Sequence, residues 1–228
     1  MEYAAPYAYP ARELRSRLDG TGLTQVLINT PMGEPGTIGR SGYACLPDHV
    51  EEFRAGVDTA LEYAVALDAP LVHVVGGIRP PEVSRDRARA RYVANIAWAA
   101  ERARGTGITL LLEAQNKRDA PGFVLETQQQ AAAVAEAVGD GVGILLDFYH
   151  AQIDQGDLIS TYREVQPFVR HLQIADPPDR HEPGTGEISW RGVFDAILAS
   201  GYSGWIGCEY APAGGTVEGL SWMKELAT

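Results

Sequence analysis

Cysteine and histidine are scarce in this chain of 228 residues, which has two of the first and five of the second. Cys45 and Cys208 are too few and too far apart for a disulfide scaffold, so a reducing cytoplasm is the expected location. No stretch approaches the roughly 18 apolar residues of a membrane span. Met1–Pro10 has no basic segment leading into an apolar run, so no signal peptide is read there. Basic charge is short as well: 19 Lys and Arg against 30 Asp and Glu give a formal net charge of −11. That balance disfavours a nucleic-acid partner, because neutralising phosphates requires a basic surface. No G-x-G-x-x-G fingerprint is present, and no nucleotide cofactor is expected.

What is present is an apolar fraction of 45%, enough for a full core, in a chain read as one domain over residues 1–228. Apolar runs and helical stretches alternate. Strands are predicted at Gln25–Asn29, Leu71–Gly76, Ile108–Glu113, Gly143–Asp147, Val169–Ile174 and Trp205–Glu209, with a short start at Met1–Ala5. Helices are predicted over Pro10–Asp19, from a cap at Asp48 to about Leu67, and over Pro81–Arg104 and Thr127–Val138. Three more follow near Leu158–Gln166, Trp190–Ser200 and Val217–Leu226. Strict β-then-α order without hairpin signals means a parallel sheet with helices outside it, the α/β (TIM) barrel class. Two loops are long, Thr30–Pro47 and Ala175–Ser189, and the first is expected to be a lid or binding loop. The count reaches seven strands, one βα unit of roughly 30 residues short of a closed eight-stranded barrel. The expectation is a barrel missing its first strand and helix. Its exposed edges would be covered by a partner subunit, making a homo-oligomer, or by an irregular N-terminus.

Four of these strands carry an oxygen ligand near the C-terminal end, where α/β barrels keep their chemistry: Glu113, Asp147, Gln173 and Glu209. Alternate strand residues point inward, so Leu111, Leu145, His171 and Gly207 should lie one layer beneath them. Gly143 and Gly207 should leave room below. Three converging carboxylates at ~5 Å and an effective dielectric of ~20 cost about 3 kcal/mol per pair, roughly 10 in all. Protons or a cation must relieve that, and oxygen ligands favour Mg²⁺ or Mn²⁺ over zinc. The alternative is that each acid separately caps a helix or pairs with an arginine.

The segments E-A-Q-N-K-R-D-A-P-G-F at Glu113–Phe123, L-D-F-Y-H-A-Q at Leu146–Gln152 and H-L-Q-I-A-D at His171–Asp176 resemble the hydroxypyruvate isomerase family. So do R-H-E-P-G-T-G-E-I at Arg180–Ile188 and G-Y-S-G-W-I-G-C-E-Y at Gly201–Tyr210, and more loosely P-Y-A-Y-P at Pro6–Pro10. This family belongs to the xylose-isomerase-like TIM barrels, and its pattern includes a strand and helix ahead of Met1. The resemblance implies a divalent metal held by Glu113, Asp147, Gln173 and Glu209, with Glu113 and Glu209 as the acid/base pair. It also implies a small anionic hydroxy-oxo acid or sugar-like substrate, isomerised through an enediolate.

Supporting positions are His150, which resembles the family's D-x-x-H and is read as a contact to substrate or to a ligand residue, or else as a surface helix residue, and His73, a core histidine or a substrate contact. Arg180 is the candidate for gripping a substrate carboxylate, with Lys117 and Arg118 as alternatives. Cys208 should be a buried thiol facing the helices, His171 a core residue, and Trp205, Phe148 and Tyr149 core or pocket wall. Competing readings are a 2-oxo-tetronate isomerase, a ketose 3-epimerase, a metal-dependent endonuclease, and an inactive truncated barrel acting as a binding module. Scarce histidine and the acidic charge weigh against the endonuclease.

Overall fold

The computed structural model describes residues 1–226. Six parallel strands pair in chain order: β1 (Leu27–Asn29), β2 (Leu71–His73), β3 (Thr109–Glu113), β4 (Val142–Asp147), β5 (Val169–Ile174) and β6 (Ile206–Cys208). Helices α1 (Ala11–Leu18), α2 (Val50–Leu67), α3 (Arg85–Ala103) and α4 (Gln128–Val138) lie between the strands or before them. Next come α5 (Phe148–Asp154), α6 (Leu158–Val165), α7 (Trp190–Ala199) and α8 (Trp222–Leu226). None of them is long and apolar enough to cross a membrane.

Side-chain parity along the strands fixes what lies inside. Val72, Leu110, Leu112, Ile144, Leu146 and Leu172 point outward and join the helices in the main core. Each such side chain, when fully buried, contributes roughly 1.5–3 kcal/mol. Leu27, Leu111 and Leu145 form a separate small cluster inside the curled sheet. The register sets Glu113 beside Leu145, Asp147 beside Gln173, and Gln173 beside Gly207, as the inward-facing prediction requires.

Met1–Ala4 runs beside β1 through Val26 N–H to Met1 O at 2.8 Å, Tyr3 N–H to Leu27 O at 3.1 Å and Asn29 N–H to Ala4 O at 3.2 Å. Among the described residues no backbone bond joins it to β6. The Glu2 side chain crosses instead, close enough that a Cβ on Gly207 would lie 1.8 Å from its Oε1. The room expected beneath Glu209 is therefore filled by another carboxylate.

Several expectations need correction, among them the last helix, predicted over Val217–Leu226 but found as a 3-10 turn at Glu218–Leu220 followed by α8. Helix α5 has no counterpart among the predicted helices; it starts at Phe148 directly after β4, because Asp147 both ends the strand and caps the helix, accepting from Tyr149 N–H at 2.9 Å. Helix α2 is not capped by Asp48: His49 holds the cap position, and its Nδ1 meets Glu52 at 2.9 Å. The loop 30–47 brings Met32 to the cavity at the strand ends, while its last residues pack into the fold. Ala44, Cys45 and Leu46 are buried, and Asn95 donates to Ala44 O at 2.8 Å. Gly42, at φ +93°, sits where a Cβ would strike Val75 O at 2.2 Å. Cys208 does face outward but is exposed, because α7 and α8 leave a groove beside β6 rather than covering it; Trp205, 58% exposed, lines a separate hollow beside Met1, Glu2 and Val26.

Candidate active site

A cavity of about 400 Å³ opens at the C-terminal ends of the strands, lined among others by Glu2, His73, Glu113, His150, Gln173, Arg180 and Glu209. Glu113 ends β3 and is buried, with Oε2 accepting from Gln115 Nε2 at 2.7 Å. Burial raises its carboxyl to about 7; the neighbouring His150 opposes the shift, and Glu209 and Asp147 add to it. Asp147 is fully buried; its Oδ1 caps α5, and Arg180 donates to Oδ2 at 3.0 Å. Glu209 stands at the rim with its side chain 48% exposed and accepts from Arg180 at 2.6 Å. Its carboxyl is also raised, first by burial of its inner flank and then by Asp147, with Arg180 opposing.

Of the four predicted ligands, Glu113 and Asp147 come close together: with His150 they each offer an atom within 4.8 Å of the others. Gln173, buried on the same wall, gives its Nε2 to Glu2 Oε2 at 2.7 Å. Glu209 is tied to Asp147 through the shared Arg180 guanidinium. Arg180 itself has φ +58° and stacks over the Tyr149 ring at 4.7 Å. Its charge is thus divided between two acids in this arrangement. Lys117 and Arg118 point elsewhere, to Asp154 at 3.8 Å and to Asp119 and Tyr149.

His150 is buried, with Nε2 3.8 Å from Glu113 and 3.7 Å from Asp147. Its Nδ1 faces Asn116 Nδ2 at 2.6 Å and the Asn116 N–H at 3.3 Å. The Asn116 amide cannot be turned over, because its Oδ1 accepts from Asp119 N–H at 2.8 Å while Nδ2 donates to Asp119 Oδ2 at 3.0 Å. Nδ1 of His150 is therefore an acceptor, and the neutral ring carries its proton on Nε2. His150 presents a donor to the acids, not a lone pair. His73 is buried 3.6 Å from Glu113, and its Nε2 has no hydrogen-bond partner. Burial lowers its pKa to about 4, so it is neutral.

These residues fit a hard divalent cation. Glu113 and Asp147 are buried carboxylates in mutual reach, the flanking donors are oxygens, and an orphaned imidazole nitrogen faces the same space. The inner wall is short of positive charge, since among the described residues Arg180 alone faces Glu113, Asp147 and Glu209 as a permanent cation.

Among the residues of this site that lie outside the sequence-based expectations are Glu2, Asn116 and Asp176. Asp176 is buried and braces the loop after β5, accepting from Gly184 N–H at 2.8 Å, Ile188 N–H at 3.1 Å and Trp190 Nε1 at 2.9 Å. Glu2 is detectable in principle, because inward parity applied to Met1–Ala5 places Glu2 and Ala4 on the cavity side. His171 is the expected core residue, fully buried with Nε2 on Glu2. Burial alone would raise the Glu2 carboxyl, but the bonds from His171 and Gln173 hold it below the usual range.

The profile of the xylose isomerase-like TIM barrel family matches residues 1–226. A protein of Cupriavidus necator named 2-oxo-tetronate isomerase is 41% identical over 225 residues, 98% of this chain and 86% of its own. The hydroxypyruvate isomerase of Escherichia coli is 40% identical over 224 residues, with the same two shares, 98% and 86%. A crystal structure titled AP endonuclease, family 2, from Brucella melitensis superposes with a TM-score of 0.93 at 37% identity, covering 98% of this chain and 86% of that one.

Proposed function

Because this chain belongs to the xylose isomerase-like TIM barrel family, we propose that it is an isomerase of small hydroxy-oxo acids, with hydroxypyruvate and 2-oxo-tetronate as the two substrates to test. The observation that carries this reading is Glu113: a buried carboxyl on a strand end, raised to about 7, facing the cavity beside Asp147. A group titrating near neutrality can both take and return a proton. Relatives named for each of the two acids stand at 41% and 40% identity, which does not separate them.

Hydroxypyruvate becomes tartronate semialdehyde when a proton leaves the hydroxymethyl carbon and one arrives at the former carbonyl carbon. The electron pair of the broken C–H bond forms the C=C of an enediolate, and the carbonyl oxygen takes the negative charge. As the aldehyde forms, the hydroxyl proton passes to that oxygen, which becomes the new hydroxyl, and the former carbonyl carbon takes the other proton. Glu113 and Glu209 are the two carboxyls for these transfers, one removing and the other delivering. His150 Nε2–H donates to a substrate oxygen on the inner wall. Arg180 can keep its Nε on Glu209 O, 3.2 Å away, while an edge of its guanidinium turns to the substrate carboxylate. His73, neutral, lines the pocket floor. Glu113, Asp147, Gln173 and Glu209 would hold Mg²⁺ or Mn²⁺, which when bound supplies positive charge where the oxygen becomes negative.

A ketose epimerase is the competing reading within the same class, but solved epimerases of this fold are only about 22% identical and speak for the fold alone. An endonuclease reading lacks the basic face it would need at a net charge of −11. The test is proton NMR of purified protein with Mn²⁺ in D₂O, given hydroxypyruvate, 2-oxo-tetronate or a ketose. Deuterium uptake at the former carbonyl carbon is expected from one or both acids, with an aldehyde formed from hydroxypyruvate or a 3-oxo acid from 2-oxo-tetronate, and is lost on chelation. Turnover of ketoses alone, or of nothing, would sink the proposal; the second result would favour a binding module.

A further inference from the structure

Glu2 lies outside the four oxygen donors, yet its carboxylate touches two of the inward-facing layers. Oε2 accepts from Gln173 Nε2 at 2.7 Å, and Oε1 faces His171 Nε2 at 2.5 Å. Gly207 leaves the space for it, since any Cβ there would overlap Oε1 at 1.8 Å. A carboxamide has one donor end and one acceptor end, and an ionised carboxylate can only accept. Glu2 therefore compels Gln173 to offer its NH₂ group sideways, which turns the carbonyl oxygen away from Glu2. That oxygen has no side-chain hydrogen bond among the described residues, and Gln173 lines the cavity.

We infer that Glu2 is a positioning residue: by anchoring the NH₂ of Gln173 and the Nε2 of His171, it presents the Gln173 carbonyl oxygen to the cavity as a cation ligand. The inference rests on the metal-ligand reading above. Without Glu2 the amide is free to rotate in the metal-free protein, its NH₂ group has no lone pair to give, and a cation must itself order the carbonyl inward as it binds. Outer partners that orient metal ligands typically matter 10–100-fold in metal affinity.

The experiment is Mn²⁺ titration of the full chain by calorimetry and by loss of the free-ion EPR signal. NMR of the Gln173 side-chain NH₂ in the metal-free protein accompanies it. Glu2→Met keeps the volume and removes the acceptor; Gly207→Ala displaces Glu2 without altering any polar group. Both should bind Mn²⁺ about 10–100-fold more weakly and lose the protection of the Gln173 NH₂ protons from exchange. Gln173→Glu alone should also bind poorly, because it sets two carboxylates against each other. The swap Glu2→Gln with Gln173→Glu restores a donor–acceptor pair of reversed polarity, and the carboxamide introduced at position 2 can still accept from His171. It should recover affinity to within about threefold of wild type. A purely structural role for Glu2 would not give reciprocal rescue.

Wild-type affinity in Glu2→Met, with its fold verified by circular dichroism, would overturn the inference; so would a swap no better than Gln173→Glu. If wild type takes up no Mn²⁺ while the Gln173 NH₂ is protected and Glu2-dependent, the metal reading is what has failed. If wild type binds Mn²⁺ but the NH₂ is unprotected, the positioning claim fails by itself.

Discussion

The segments Gly143–Asp147 and Trp205–Glu209, which contain most of β4 and all of β6, are written alike, G-I-L-L-D and W-I-G-C-E, and each closes on an acid at the strand's C-terminal end. Their fates differ. Every residue of β4 is buried, whereas β6 is half-buried to exposed. The cause lies outside the strands themselves. β4 has β3 and β5 on either side and α4 and α5 against it, while β6 pairs only with β5 and has a groove on its helix side. As a result Asp147 is a fixed, dehydrated group bound into the fold, and Glu209 is a rim group held by a single arginine. Facing is set by the local pattern, but covering is set by neighbours.

That contrast can be broken most sharply by substitution. Glu209→Ala should cut turnover by about 10²–10⁴, the usual contribution of an acid/base group. Its melting temperature should stay within about 2 °C, because exposed ion pairs contribute at most ~1 kcal/mol. Asp147→Ala should abolish turnover and also cost about 2 kcal/mol, some 4–8 °C, through the lost helix cap and the abandoned Arg180. Asp147→Asn keeps an acceptor for Tyr149 N–H and should recover most of the stability but little activity. Equal melting losses in Glu209→Ala and Asp147→Ala would erase the distinction between the two sites.

Proton linkage sharpens it next. The Glu113 carboxyl is raised from 4.5 to about 7, so the folded state binds the extra proton between those values. Its contribution to stability is full below about pH 4.5 and is lost as pH rises through 7, on the order of 2–3 kcal/mol in metal-free protein. Relative to Glu113→Gln, wild type should therefore lose stability from about pH 5 to 8, as read by urea denaturation. Saturating Mn²⁺ should flatten that slope. A flat difference from pH 5 to 8 would mean that Glu113 is ionised in the folded protein throughout that range.

A smaller effect belongs to Asn116→Leu. Nitrogen NMR should show His150 moving from the Nε2–H tautomer toward a mixture, and kcat should fall about tenfold, the equivalent of one misdirected hydrogen bond. The smallest is chemical. An aromatic disulfide reagent should modify one thiol in native protein, exposed Cys208, and two after denaturation. Cys45 is buried, and burial pushes its thiol up to about 12.

Much of this architecture is legible in the sequence, because strand parity is a local property. Leu111, Leu145 and His171 fall one layer beneath Glu113, Asp147 and Gln173 for the same reason that alternate residues of any strand share a face. What escapes depends on distance or on doubled duty. No Gly, Pro or Asn separates β4 from α5, and the one signal of a helix at Phe148, the N-cap type of Asp147, is hidden in the strand's own last residue. Asn116 meets His150 from 34 residues away, and Glu2 meets Gln173 from 171 away. Neither pairing leaves a periodic trace. The exposure of Cys208 escapes because outward facing does not by itself mean burial.

The double engagement of Asp147 has a further consequence for how this position can vary. Serine, threonine or asparagine would satisfy the start of α5 but forfeit the negative charge opposite Arg180. Glutamate would keep the charge while reaching too far to close the turn onto Tyr149. Drift at this residue is thus hemmed in from two directions at once, and a library selected for folding alone should diverge there from one selected for turnover.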